Sequence, residues 1–204
     1  IKNSVSNTYL VYDINTQNSR LFFDNLTYVN NTGNMWLGYA SINNSLFENN
    51  TGKGMGGVIR GTNFITVTNS KFINNTNPSA NNAEGGAIYS SSIVSINNTY
   101  ESNTGSKGGA VYVSFTDGSA AFINDTFINN VANVDGGAIY LNAYNSKSAP
   151  NCTIENVKFI NNTAKNNGGA ISLSGATIKN TIFENNSANL GGAIYLMAIR
   201  SGNI

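Results

Sequence analysis

Seven copies of asparagine-x-x-aromatic-x-x-asparagine run through this 204-residue chain, and six are followed by Gly-Gly, a small residue and then Ile or Val. The aromatic positions are Tyr28, Phe47, Phe72, Tyr100, Phe127, Phe159 and Phe183. The glycine pairs begin at Gly56, Gly85, Gly108, Gly136, Gly168 and Gly191. Successive aromatics lie 19, 25, 28, 27, 32 and 24 residues apart. One such unit is too short to bury its own apolar face. A run of them with variable connections therefore restricts the chain to a solenoid, in which each unit covers the next.

Within each unit apolar residues alternate. Examples are Ile65-x-Val67, Cys152-x-Ile154 and Ala176-x-Ile178 before the first Asn, and Ala138-Ile139-Tyr140-Leu141 after the glycines. Strands of three to five residues fit both patterns, and the repeated aromatic lies on a third short strand. Three strands per unit make one coil of a parallel β-helix, with neighbouring coils ~4.8 Å apart. Asn suits the bends because it tolerates left-handed backbone. Stacked coils also let equivalent Asn amides bond along the axis, as in cross-β structure. Asn25, Asn97 and Asn124 fall on such columns, where an inward side chain would be shielded. The glycines serve a turn that a Cβ would obstruct.

The alternation also sets which side chains face outward. Ile88 and Ile139 share a face with residues such as Val113 and Leu141, so that face is core. The residues between point out: Arg60, Tyr89, Tyr112, Tyr140, Ser172 and Tyr195. Tyr112 is thus expected to lie outside the core and to be replaceable without loss of the fold.

These motifs resemble a known family. Gly-Gly-Ala-Ile together with Phe-x-x-Asn is similar to the repeat of the polymorphic outer-membrane proteins of chlamydiae. Phe159-Ile160-Asn161-Asn162-Thr163-Ala164 followed by Gly168-Gly169-Ala170-Ile171, in a chain with 39 Asn, resembles adhesin-like surface proteins of methanogenic archaea. The resemblance spans about residues 21 to 198. It implies that the all-β parallel β-helix, of about seven coils by its repeats and length, is right-handed and pectate-lyase-like. It also implies a secreted or cell-surface location and attachment to the glycan or protein of a host or partner cell. Residues 1–204 read as a single β-helix domain, a fragment of a longer chain, with residues 1–39 as degenerate first coils in which Met35-Trp36-Leu37-Gly38-Tyr39 replaces the glycine pair.

Composition narrows the function. The chain carries 11 basic and 10 acidic residues, so no basic stripe exists to bind nucleic acid or an anionic membrane. Neither a membrane span nor a signal peptide is expected in this stretch. The absence of His removes His-based triads and common zinc sites, and no metal or cofactor is expected. Cys152, the single cysteine, falls on the core column of Ala40, Ile65, Ile93, Ala120 and Ala176 and reads as a small buried hydrophobe. An acid–base pair or a calcium site would need two carboxylates on one face of adjacent coils. Glu48, Glu101 and Glu184 share a column interrupted by Ile73, Ile128 and Ile160, and Asp125 and Glu155 are two positions out of register. Glu84, Lys107 and Asp135 precede successive glycine pairs, as an ion-pair ladder would.

Two features could bind a partner. The column Tyr89, Tyr112, Tyr140 offers flat rings with polar tips, suited to sugars or protein, although stacking between coils explains it as well. Beside it, longer connections carry Phe115 and Tyr144. Among ten Asn-x-Ser/Thr triplets, Asn49, Asn74, Asn161 and Asn185 lie beside bends and are candidate glycosylation sites. The leading expectation is a non-catalytic adhesin-like stalk or binding module. The alternatives are a polysaccharide-active enzyme of the pectate-lyase-like fold and a structural β-helix that self-assembles through its solenoid ends into a fibre or surface layer.

Overall fold

A computed structural model describes residues 1–13, 20–78, 83–115, 119–143 and 151–197. The described chain is all-β, with parallel strands stacked as a solenoid of about six turns, one fewer than the repeat count suggested, and no helix among these residues. Strands form a 13-stranded sheet, a seven-stranded sheet and a three-stranded sheet. Each of the seven strands in the second sheet is three residues long, from Thr27–Val29 to Ile182–Glu184, with the repeated aromatic in the middle. Their register runs Tyr28, Phe47, Phe72, Tyr100, Phe127, Phe159, Phe183 without a slip.

Those rings fill the interior. From Phe47 to Phe183 each stacks on the next with centroids 4.6–5.1 Å apart and planes within 5–11°. Tyr28 begins the column, tilted by 44° on Phe47 at 6.0 Å. The register sets this distance, because equivalent side chains on paired strands have nowhere else to go. Facing the rings is an aliphatic column, Met35, Ile59, Ile88, Val111, Ile139, Ile171 and Ile194, which is buried throughout except at Ile194. Ala40, Ile65, Ile93, Ala120 and Cys152 make a third column, in which burial pushes the Cys152 thiol up to about 12.

Two asparagine corners bend each coil. The residues three before the aromatic (Asn25, Asn44, Asn69, Asn97, Asn124, Asn156, Asn180) all have φ between 48° and 58°. So do those two after it, where Ser102 stands in once for Asn. Left-handed backbone turns these side chains toward water, so Asn25, Asn97 and Asn124 are exposed and lack the shielding an inward side chain would have had. The asparagines that bond to one another in the interior are the ones three after the aromatic. Asn50, Asn75, Asn103, Asn130 and Asn162 each donate from Nδ2 to the Oδ1 of the next coil's Asn at 2.9–3.0 Å. The second Nδ2 proton goes to the carbonyl of the preceding coil's aromatic, as from Asn103 to Phe72 at 2.9 Å. Each Oδ1 also accepts a backbone N–H, as from Asn75 to Asn103 at 3.0 Å. All four hydrogen-bonding positions of the buried amide are thereby used, which is what makes its burial tolerable.

Glycine pairs close the turn into the strand that carries the aliphatic column, such as Ile139–Asn142. At Gly136 φ is 66°, and a Cβ there would run into the carbonyl of Ile139. One on Gly137 would strike the Gly169 carbonyl of the next coil. The first coil reaches the same place without the pair: Met35, Trp36 and Leu37 lie in register with Ile59, Arg60 and Gly61. Asn34 there donates from Nδ2 to the carbonyls of Met55 and Gly56. Ahead of it, Val5–Asp13 pairs with Thr32–Leu37 through an irregular register.

Candidate binding face

Opposite the aliphatic column, the strands after the glycine turn present one side chain per coil on their outer face. Register aligns Tyr12, Trp36, Arg60, Tyr89, Tyr112, Tyr140, Ser172 and Tyr195 along the axis. Tyr89, Tyr112 and Tyr140 stack face to face at 5.4 and 5.1 Å. Their phase is as expected, since none joins the hydrophobic core. Their accessibility is not. Tyr112 is 3% exposed and Tyr140 7%, and only Tyr89 of the three stays half-buried.

Polar neighbours explain how phenols survive there. Asn142 Nδ2 donates to Tyr112 Oη at 2.8 Å, and the Glu84 carboxyl interacts electrostatically with the same phenol. Burial pushes the Tyr112 and Tyr140 phenols up and raises the Glu84 carboxyl, against the pull of Tyr112 and the Lys107 charge. Lys107 Nζ lies 5.3 Å from the Tyr140 ring centroid. Asp135 Oδ1 accepts from the backbone N and Nδ2 of Asn167. Glu84, Lys107 and Asp135 do occupy neighbouring rungs, yet the contacts they make are with the tyrosines and Asn167. Their column flanks the ring column and helps to bury it.

The inserted connections contribute less than expected. Phe115 is 2% exposed and belongs to the hydrophobic core, so its ring is unavailable to a ligand. Tyr144 lies outside the described residues. The open end of the column is instead toward the N-terminus, where Tyr9, Tyr12 and Trp36 cluster with centroids 4.8–5.4 Å apart and Tyr12 is 58% exposed. Arg60 places its guanidinium 3.9 Å over the Trp36 ring. Sequence reasoning found Arg60 but missed Trp36 and Tyr12, because these precede the first glycine pair. The alternation of Met35-Trp36-Leu37, which mirrors Ile139-Tyr140-Leu141, was the signal that could have placed Trp36.

The carboxylates do not converge. Glu48, Ile73, Glu101, Ile128, Ile160 and Glu184 follow one another along a column as the repeat requires. Glu155 pairs with Ile123, which keeps it out of step with Asp125. Asp125 is buried at the end of an interior polar run, Ser45, Ser70, Asn98, Asp125, in which each backbone N–H bonds the next side-chain oxygen. Its Oδ2 has no partner, and burial raises its pKa to about 7. No group of three or more His, Cys, Asp or Glu among the described residues is placed to hold a metal. A cleft of ≈ 210 Å³ at one corner is lined by Asn25, Leu26, Asn44, Ser45, Asn69 and Lys71, away from the ring column. No helix among the described residues is long and apolar enough to cross a membrane, which says nothing of a β-barrel.

Three stretches match the Chlamydia polymorphic membrane protein repeat. They are residues 126–142, 156–174 and 180–196, each running from the aromatic strand through the glycine turn to the strand that carries the outer column. No curated protein and no solved structure matches the chain. The repeat belongs to an outer-membrane and surface family, with which a cell-surface location is consistent. Each matched stretch contains a column aromatic, the Asn three after it and a glycine pair, all of them scaffold residues.

Proposed function

We propose that this chain is a non-catalytic, adhesin-like surface module whose outer aromatic column contacts a glycan or protein on another cell. The observation that carries this reading is the column itself: rings at one-coil spacing, held by a parallel sheet, running into a half-open cluster at Tyr12, Trp36, Arg60 and Tyr89. A ring held in place by its sheet loses little entropy when a partner docks. Tyr112 and Tyr140 brace the column from the next coils along, and Tyr89, Trp36 and Tyr12 meet the partner. The exposed corner residues Asn49, Asn74, Asn161 and Asn185 are accessible acceptors for glycosylation in an exported protein.

The test is adhesion of the purified chain to cells and to immobilised glycans, with Tyr89→Ser and Tyr12→Ser made together. Adhesion per folded molecule should fall while the melting temperature changes little. Unchanged adhesion with an intact fold would make the column purely structural. Cleavage of any polysaccharide by the pure protein would return the enzyme reading.

A further inference from the structure

Arg60 stands on the outer face with no carboxylate partner among the described residues. Its hydrogen bond is Nη1 to Tyr9 Oη at 3.0 Å, and its Nε is buried without an acceptor. Farther along the face, Asp135 is engaged with Asn167. A half-buried guanidinium normally finds an anion, and contact with an aromatic ring replaces only part of that interaction. Here the Trp36 ring beneath and the Tyr9 hydroxyl beside it hold the planar group in one orientation, leaving donors free. A fixed guanidinium fork matches a carboxylate or a sulfate ester.

Its neighbours say what carries the anion. Trp36 lies one coil before Arg60, Tyr89 one coil after and Tyr12 two coils before, all on the same face. The coil spacing of ~4.8 Å is about the length of one linked pyranose. A linear saccharide lying along the axis would therefore meet one side chain of this column per sugar. Resting on the adhesin reading above, we propose that Arg60 anchors a subsite for an anionic polysaccharide, binding a carboxylate or sulfate group while Tyr89, one coil after, and Tyr12, two coils before, contact neighbouring sugars of the same chain. The net charge of +1 makes this a local recognition rather than attraction by a charged surface.

The experiment is calorimetric titration of the intact chain with four probes: an oligouronate, the same oligosaccharide with its carboxyls reduced to alcohols, a sulfated dextran and polyglutamate. The oligouronate or the sulfated dextran should bind at least ~10-fold more tightly than the reduced sugar, and which of the two binds better identifies the anion. Arg60→Gln should abolish that preference, and Arg60→Lys, which keeps the charge without the fork, should recover only part of it. Equal binding of the oligouronate and its reduced form, with no preference for sulfated dextran, would overturn the anionic subsite and leave the glycan reading standing. Polyglutamate binding as tightly as either anionic saccharide would overturn the saccharide in favour of an acidic peptide. If no saccharide binds the folded protein, both the subsite and the glycan partner fail. An anion preference that survives Arg60→Gln would remove Arg60 from the site. Should Arg60→Gln unfold, the comparison among probes on the unaltered chain still decides whether an anion is read.

Discussion

At Asp125 the interior polar run ends against an apolar neighbour. The next coil offers Val157 where another amide or hydroxyl would continue the pattern, so Oδ2 is left buried and unpaired. Its carboxyl titrates near 3.8 when unfolded and at about 7 in the fold. Since the folded value is raised, this group favours the folded state fully below about pH 4, and the benefit is lost as pH rises toward 7. The difference is on the order of 4 kcal/mol at most. Asp125→Asn should therefore melt higher than the parent at pH 8, and the gap should close as pH falls to 4 in thermal scans. Asn103 shows the opposite case, a fully satisfied buried amide. Asn103→Ala strips acceptors from the backbone N and Nδ2 of Asn75, and chemical denaturation should show a loss of about 3 kcal/mol or more. Phe127→Ala opens a gap in a column touched on both sides, at a cost of about 3–5 kcal/mol by the same measurement.

Strands and turns set which side chains repeat and how far each can reach. The glycine turn sends the backbone into the outer-column strand, and the stacked glycines let adjacent coils approach closely. Gly137→Ala should lower stability by more than an exposed-strand substitution would, because the added methyl meets backbone rather than a movable side chain. On the strand that follows, the expectation that Tyr112 could be replaced freely is reversed by its burial against Tyr89, Tyr140, Asn142 and Glu84. Tyr112→Ser should cost about 2–4 kcal/mol, and Tyr89→Ser clearly less. A binding defect in the Tyr112 variant would thus report unfolding, which is why the adhesion test is placed at Tyr89 and Tyr12.

Across the whole molecule, coils pair with their neighbours, the Arg60 to Tyr9 hydrogen bond reaching across one more, so stability is distributed largely as a sum of coil-to-coil interfaces. Ending the chain after Ser174 removes the last described strands, from Thr177–Lys179 onward, and leaves every earlier pairing in place. The shortened chain should keep the β circular-dichroism spectrum of the parent and melt modestly lower, while Phe127→Ala in the middle weakens two interfaces at once. The same linear construction gives the binding face its form. The outer column is continuous by register, but its accessibility changes along the axis, from exposed Tyr12 to buried Tyr112 and Tyr140.

The repeat alone determined the solenoid, its core columns and its phase, because a side-chain period of two and a fixed register leave no freedom once one residue is known to face in. Even the out-of-step carboxylates and the core position of Cys152 could be read by aligning copies. What the repeat could not determine is which outward residues meet water. Facing away from the core is a property of one strand, whereas exposure depends on every element packed nearby. Tyr112 and Tyr140 point outward and are covered, and Phe115, placed on a connection, turns into the core. Asn25 and its equivalents turn outward because of a backbone angle that composition does not reveal. Tyr12 joins the face only through pairing with the Trp36 strand, and neither strand carries the glycine motif. Such contacts join residues distant in the chain, so only the tertiary structure could assign them.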